Sequence, residues 1–122
     1  MLAKRARRDL FHLANKYGNT VTVYNPTKTY NDEGDPTYNL GSGVEAKILV
    51  FPVDEEIMAW QPEGIDISTS FRCYIPYDVN IQRDSIIKYG SDYYILYSFA
   101  PIKIDNQTVF YDVVMTKTDI HL

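Results

Sequence analysis

The chain has 122 residues, of which 45% are hydrophobic and 23% charged, the size and make-up of one globular domain and not of a disordered segment. Twelve basic residues against sixteen acidic ones give a net charge of −4 and a pI near 5.0, whereas dedicated nucleic-acid binders usually lie above about 9. One cysteine, Cys73, excludes an internal disulfide and a cysteine-built zinc knuckle, and only two histidines, His12 and His121, are present to build a metal or catalytic site.

The charge is spread unevenly. Residues 1–17 hold Lys4, Arg5, Arg7, Arg8 and Lys16 against Asp9 alone, a local balance of +4, and the remainder carries −8. This divides the chain into a basic arm, residues 1–18, and a body, residues 19–122. The arm reads as a helix: Ala3, Ala6, Leu10, Leu13, Ala14 and Tyr17 recur at three- and four-residue steps and form one apolar stripe, with Lys4, Arg5, Arg8 and His12 largely off it. Gly18 is expected at a left-handed position that ends the helix, with Lys16 beside the negative end of the helix dipole. The basic face has two readings. One is a solvated face on a helix packed against the domain. The other is a docking arm in which Lys4, Arg5, Arg7 and Arg8 meet an acidic partner or nucleic acid. No apolar region follows Arg8 to make a secretory signal, and no run nears the roughly 20 residues that span a bilayer. The expectation is a cytoplasmic protein with no membrane partner.

From Asn19 the period drops to two. Thr20 to Tyr24 alternates and is rich in β-branched residues. Residues 25–43 contain Asn-Pro, Asp-Glu-Gly-Asp-Pro and Gly-Ser-Gly, and read as an extended hairpin tipped at residues 32–36. Val44, Ala46, Ile48 and Val50 share one phase; Ile65, Ile67, Thr69, Phe71, Cys73 and Ile75 share another. Residues 86–89 and 93–98 flank a turn at Gly90-Ser91-Asp92, and a last strand with Val109, Tyr111, Val113 and Met115 follows a turn at Asp105-Asn106-Gln107. The connections are too short for parallel crossovers. The expected fold is mainly β: a small antiparallel β-barrel or sandwich of about six or seven strands, with an N-terminal α-helix and a long inter-strand loop at residues 52–64.

Catalytic signatures are missing. Gly41-Ser42-Gly43 is no phosphate loop, and no nucleophile elbow or HExxH is present. Asn31-Asp32-Glu33-Gly34-Asp35 lacks the ligand spacing of a calcium loop and reads as a plain turn. Asp54-Glu55-Glu56 has no His, Lys or Arg nearby in sequence and reads as a solvated acidic loop. No catalytic, cofactor or metal residue is assigned, and no enzymatic activity is expected. Cys73 lies on the apolar phase of its strand, as a small buried hydrophobe would. Eleven tyrosines exceed what a core needs. Of the cluster Tyr74, Tyr77, Tyr89, Tyr93, Tyr94 and Tyr97, those not packed on the barrel suit a protein interface. They also suit a stacking platform for single-stranded nucleic acid, although only Arg83 and Lys88 lie among them.

Four stretches carry a family likeness: Thr20 to Thr27; Asn31 to Pro36; Ala46 to Val53 followed by Asp54-Glu55-Glu56; and Ile75-Pro76-Tyr77-Asp78-Val79-Asn80-Ile81 followed by Asp84 to Ile95. In this order they resemble the small head–tail connector proteins of tailed bacteriophages and related viruses, the head-closure (stopper) and head–tail joining proteins. The likeness covers residues 19–117. Arg83 stands where that family often has glycine, and the basic arm is an extension beyond its pattern. The resemblance implies a homo-oligomeric ring of six or twelve copies between a portal or adaptor protein and a tail protein. Packaged double-stranded DNA would pass through it, in the neck of a virion assembled in the host cytoplasm. It also implies a long loop that narrows the channel; at residues 52–64 this loop would present Asp54, Glu55, Glu56, Met58, Trp60 and Glu63, its carboxylates repelling phosphate. Tyr30, Asp32, Tyr77 and Tyr94 are the candidates for contacts between copies. The alternative is a single-stranded nucleic-acid-binding β-barrel module.

Overall fold

A computed structural model describes residues 2–53 and 69–118. A helix, α1 (Leu2–Tyr17), is followed by β1 (Asn19–Tyr24), β2 (Thr27–Tyr30), β3 (Pro36–Asn39), β4 (Val44–Pro52), β5 (Ser70–Pro76), β6 (Ile86–Tyr89), β7 (Asp92–Ile104) and β8 (Gln107–Thr118). Six strands close into a barrel in the order β1-β4-β5-β8-β7-β6, every pairing antiparallel. β2 and β3 form a separate two-stranded hairpin. The expected mainly β barrel with an N-terminal helix is therefore the fold. From Asp54 to Gly64 the expected long loop lies outside the described residues, as do Ile65 and Ile67 of the strand expected to contain Cys73.

The period of two turns one phase of each strand inward. Val21 and Val23 from β1, Ile48 from β4, Cys73 and Ile75 from β5, Ile87 from β6, and Val113 and Met115 from β8 fill the barrel, with Ile81 from the loop before β6. Tyr94 corrects an expectation. Its residue type suits an interface, but it sits opposite Ile87 on the inward phase of β7 and is 5% exposed. Its ring and that of Tyr89 meet Phe71 edge-on, at 5.8 and 5.5 Å between centroids.

β7 and β8 run longer than their alternation indicated, because two irregularities break it. The register slips between Leu96 and Ser98, leaving Tyr97 extra on β7, and again between Ile102 and Lys103, leaving Val109 extra on β8. The two strands turn at Asp105 and Asn106, both at positive φ (53° and 62°), the geometry a two-residue hairpin loop requires.

The strand directions give the barrel two distinct ends. β1 ends and β4 begins at one of them, where the β2–β3 hairpin leaves; the end of β5 and the β7–β8 turn are at this same end. The connection from Val53 to Thr69 starts and finishes at the other end, with the Gly90-Ser91 turn between β6 and β7.

α1 lies against β8, β4, β5 and β7. Its buried face is narrower than the apolar stripe indicated: Ala3 and Ala14 are buried, whereas Leu13 and Tyr17 are 47% and 65% exposed. Small side chains bring the helix close to the sheet. Gly18 extends this closeness and corrects a second expectation, because its φ is not left-handed. Its amide continues the helix with a 2.9 Å bond to the Ala14 carbonyl oxygen. A Cβ here would lie 2.2 Å from that oxygen and 2.6 Å from the Ile48 carbonyl oxygen. Glycine is required by the approach of two backbones rather than by a dihedral angle.

Gly18→Ala is expected to destabilise the fold by about 1–3 kcal/mol, since neither carbonyl can move aside without moving a helix or a strand; a lowered urea midpoint with an unchanged slope is the readout. Cys73 generates a second prediction. Burial, and secondarily the Asp112 carboxylate, push its thiol up from 9.0 to about 12. Between pH 9 and 12 the unfolded chain loses this proton and the folded chain keeps it, so stability falls as pH rises, by at most about 1.4 kcal/mol per pH unit. Urea unfolding of Cys73→Ala across this range should lack that contribution.

Candidate functional site

An open groove of about 1040 Å³ lies at the hairpin-bearing end of the barrel. Lys4, Arg5, Arg7, Arg8 and Phe11 of α1 form one wall; Tyr77, Asp78 and Gln107 form the other. The basic residues fall on successive turns of one helix segment, and the first turn of α1 contains no acidic residue to offset them or the positive end of the helix dipole. Lys4, Arg5 and Arg8 are exposed, which a solvated face and a docking arm share.

Arg7 is a correction to that reading. Its Nε donates to the Thr108 carbonyl oxygen at 2.8 Å, and its guanidinium sits 4.0 Å from the centroid of the Tyr77 ring. Both contacts hold α1 on its own barrel. Tyr77, proposed as an interface residue, spends one ring face on Arg7 and remains 41% exposed. Behind the helix, a smaller cleft of about 360 Å³ has a mixed lining, with Phe11, Ala14, Val23 and Val79 beside polar groups such as Lys47 and Asp78.

A second charged surface is the tip of the β2–β3 hairpin. The Asn31 side-chain oxygen accepts from the amides of Glu33 (3.0 Å) and Asp35 (2.8 Å), and its backbone bonds Gly34 and Asp35. Gly34 takes a φ of 85°, open to glycine at no cost. Asp32, Glu33 and Asp35 are thus displayed on an ordered turn, all exposed, with Tyr30 at its base 65% exposed. The plain-turn reading of this stretch matches that geometry. Among the described residues, no group of three or more His, Cys, Asp or Glu is arranged to hold a metal ion.

A polar knot fixes the loop that carries Tyr77. The Asn25 amide donates to the Asn80 carbonyl oxygen at 2.9 Å, and the Asn25 oxygen accepts from the Ser85 hydroxyl. Ser85, 2% exposed, also accepts from the Gln82 amide at 2.8 Å. The end of β1 is thereby tied to residues 80–85. Sequence reasoning missed these roles: Asn25-Pro26 signals a turn, but nothing in it reveals a partner 55 residues away. On the outer face of β5 and β8, Arg72 and Asp112 pair through two hydrogen bonds of 3.0 and 2.7 Å beside the ring of Tyr74, which contacts Phe51 and Phe110.

Asp54, Glu55, Glu56, Met58, Trp60 and Glu63, the proposed channel residues, lie outside the described residues. No described helix is long and apolar enough to cross a membrane.

No protein-family model matches the chain, and no curated protein matches it. Among solved structures, it is similar to the solution structure of protein SF1141 from Shigella flexneri 2a, with 16% identity and a TM-score of 0.59 over 81% of this chain and 90% of that one. At this identity the likeness speaks for a shared small β fold and for nothing finer.

Proposed function

We propose that the chain is a structural subunit of a head–tail connector of the tailed-bacteriophage type, a head-closure or head–tail joining protein. Copies would repeat around an axis to form a ring between a portal or adaptor protein and a tail protein, with packaged duplex DNA passing through. The virion neck would be its final location.

One observation carries this reading: the β2–β3 hairpin is not part of the barrel, and every described side chain in both its strands is exposed. A two-stranded hairpin alone is marginal in water and gains most from a neighbour. A barrel with such a projection at one end suits a repeated unit that grips its neighbours at that level. The sequence likeness supports the same reading. Two of its four stretches, those around Asn25 and residues 75–85, are joined in space by the Asn25 bonds to Asn80 and Ser85.

The alternative of a single-stranded nucleic-acid-binding barrel draws support from the basic groove with Phe11 and Tyr77. Against it, three tyrosines of the candidate stacking cluster are taken up within the fold: Tyr94 is in the core, Tyr89 packs on Phe71 and Tyr93 on Tyr24, while Tyr77 and Tyr97 stay exposed. Oligonucleotide binding that weakens steeply with salt would favour it.

Disrupting the reading frame in its parent genome and imaging the particles tests the connector reading. Heads lacking tails, with DNA lost from them, are the expected result. Intact tailed particles still holding DNA would sink it.

A further inference from the structure

We propose that the acidic tip of the β2–β3 hairpin of one copy docks in the basic groove beside α1 of the next copy. The inference rests on the ring reading above and names the surfaces that would close it.

Charge complementarity is the first argument. Asp32, Glu33 and Asp35 sit on a turn ordered by the Asn31 side chain, and among the described residues none of them has an ion-pair partner. Among the described residues Lys4, Arg5 and Arg8 are equally without one, and Asp78 is the one acid that lines the groove. The protein carries both halves of an electrostatic contact and does not join them internally.

Position is the second argument. The two surfaces are different patches, so the contact is heterologous and propagates from copy to copy. Both lie at the same end of the barrel: the hairpin leaves beside Tyr24 and Val44, and the groove lies beside Tyr77 and the β7–β8 turn. A rotation about an axis along the barrel keeps them at one height, as a closed ring needs. The tip is ordered before contact, so little entropy is lost on docking. Phe11, 45% exposed, and the part of Tyr77 not covered by Arg7 add apolar surface to the two groove walls.

The test is an amide NMR titration of the full chain against itself, from micromolar to millimolar concentration at low salt. The Gly34 amide and the amides of residues 4–8 are expected to shift together, and the shifts should collapse near 1 M salt, where the screening length falls to about 3 Å. Two double variants follow, Arg5→Glu with Arg8→Glu, and Asp32→Lys with Glu33→Lys. All four positions are exposed, and an unchanged barrel spectrum verifies folding. Each variant alone should self-associate about tenfold more weakly or worse. An equimolar mixture should regain the contact, because the basic tip of one variant meets the acidic groove of the other.

Three results would overturn the proposal: no concentration dependence at either patch, shifts that persist in both variants, or a mixture of well-folded variants that regains nothing. A response of residues 4–8 to duplex DNA at lower concentration than to a second copy would also overturn it. Failure here combined with tailless particles on gene disruption would remove this contact and keep the connector. A confirmed contact with normal particles would do the reverse.

Discussion

Three residue pairs close the barrel. Thr22, Val23 and Tyr24 of β1 meet Lys88, Ile87 and Ile86 of β6, and no other ladder is so short; β7 and β8 share eleven pairs. Without this seam the sheet has two free edges, and Val23 and Ile87, both in the core, face water. The neighbourhood of β1 shows how so short a ladder holds. Gly18 sets the strand's start by letting the helix end touch the Ile48 carbonyl, and Asn25 sets its finish by bonding across to residues 80–85. The closing strand is positioned from both ends by contacts outside its own pairing, and the end held by Asn25 is the one where the hairpin leaves.

Regular strands were legible because burial on one face imposes a simple rule. The inward phases of β1, β4 and β5, the hairpin with its acidic tip, and the buried state of Cys73 follow from alternation and turn chemistry alone. Illegibility begins where a position is decided by something far along the chain. Tyr94 has the composition of an interface residue, and only its pairing with Ile87 reveals the inward phase. The extra residues Tyr97 and Val109 shift the phase of β7 and β8, so a fixed period reads each strand as shorter than it is. The candidate site divides in the same way. Lys4, Arg5, Arg8 and Asp32 could be read from local charge. Arg7 could not be told from them, because its identity as a clamp depends on Thr108 and Tyr77.

The proposed role asks little of any single side chain and much of their arrangement. A subunit repeated around an axis multiplies whatever charge it displays, so three carboxylates on an ordered turn become a belt of them. Opposite charges kept apart within one copy remain available to another. The cost is local repulsion among like charges at the tip and along the helix, which salt screens at the surface.

The clamp on α1 also bears on the order in which the parts form as the chain leaves the ribosome. The helix is made before the strands of the barrel, but Arg7 finds its carbonyl acceptor 101 residues later, on β8. A sixteen-residue helix is marginal by itself. The local hairpins β6–β7 and β7–β8 close small loops and can form early, whereas α1 has nowhere to dock until β8 is in place. During synthesis the basic segment therefore precedes the barrel strands and is among the last parts of the fold to be seated, so its positive surface is finished only when the barrel is.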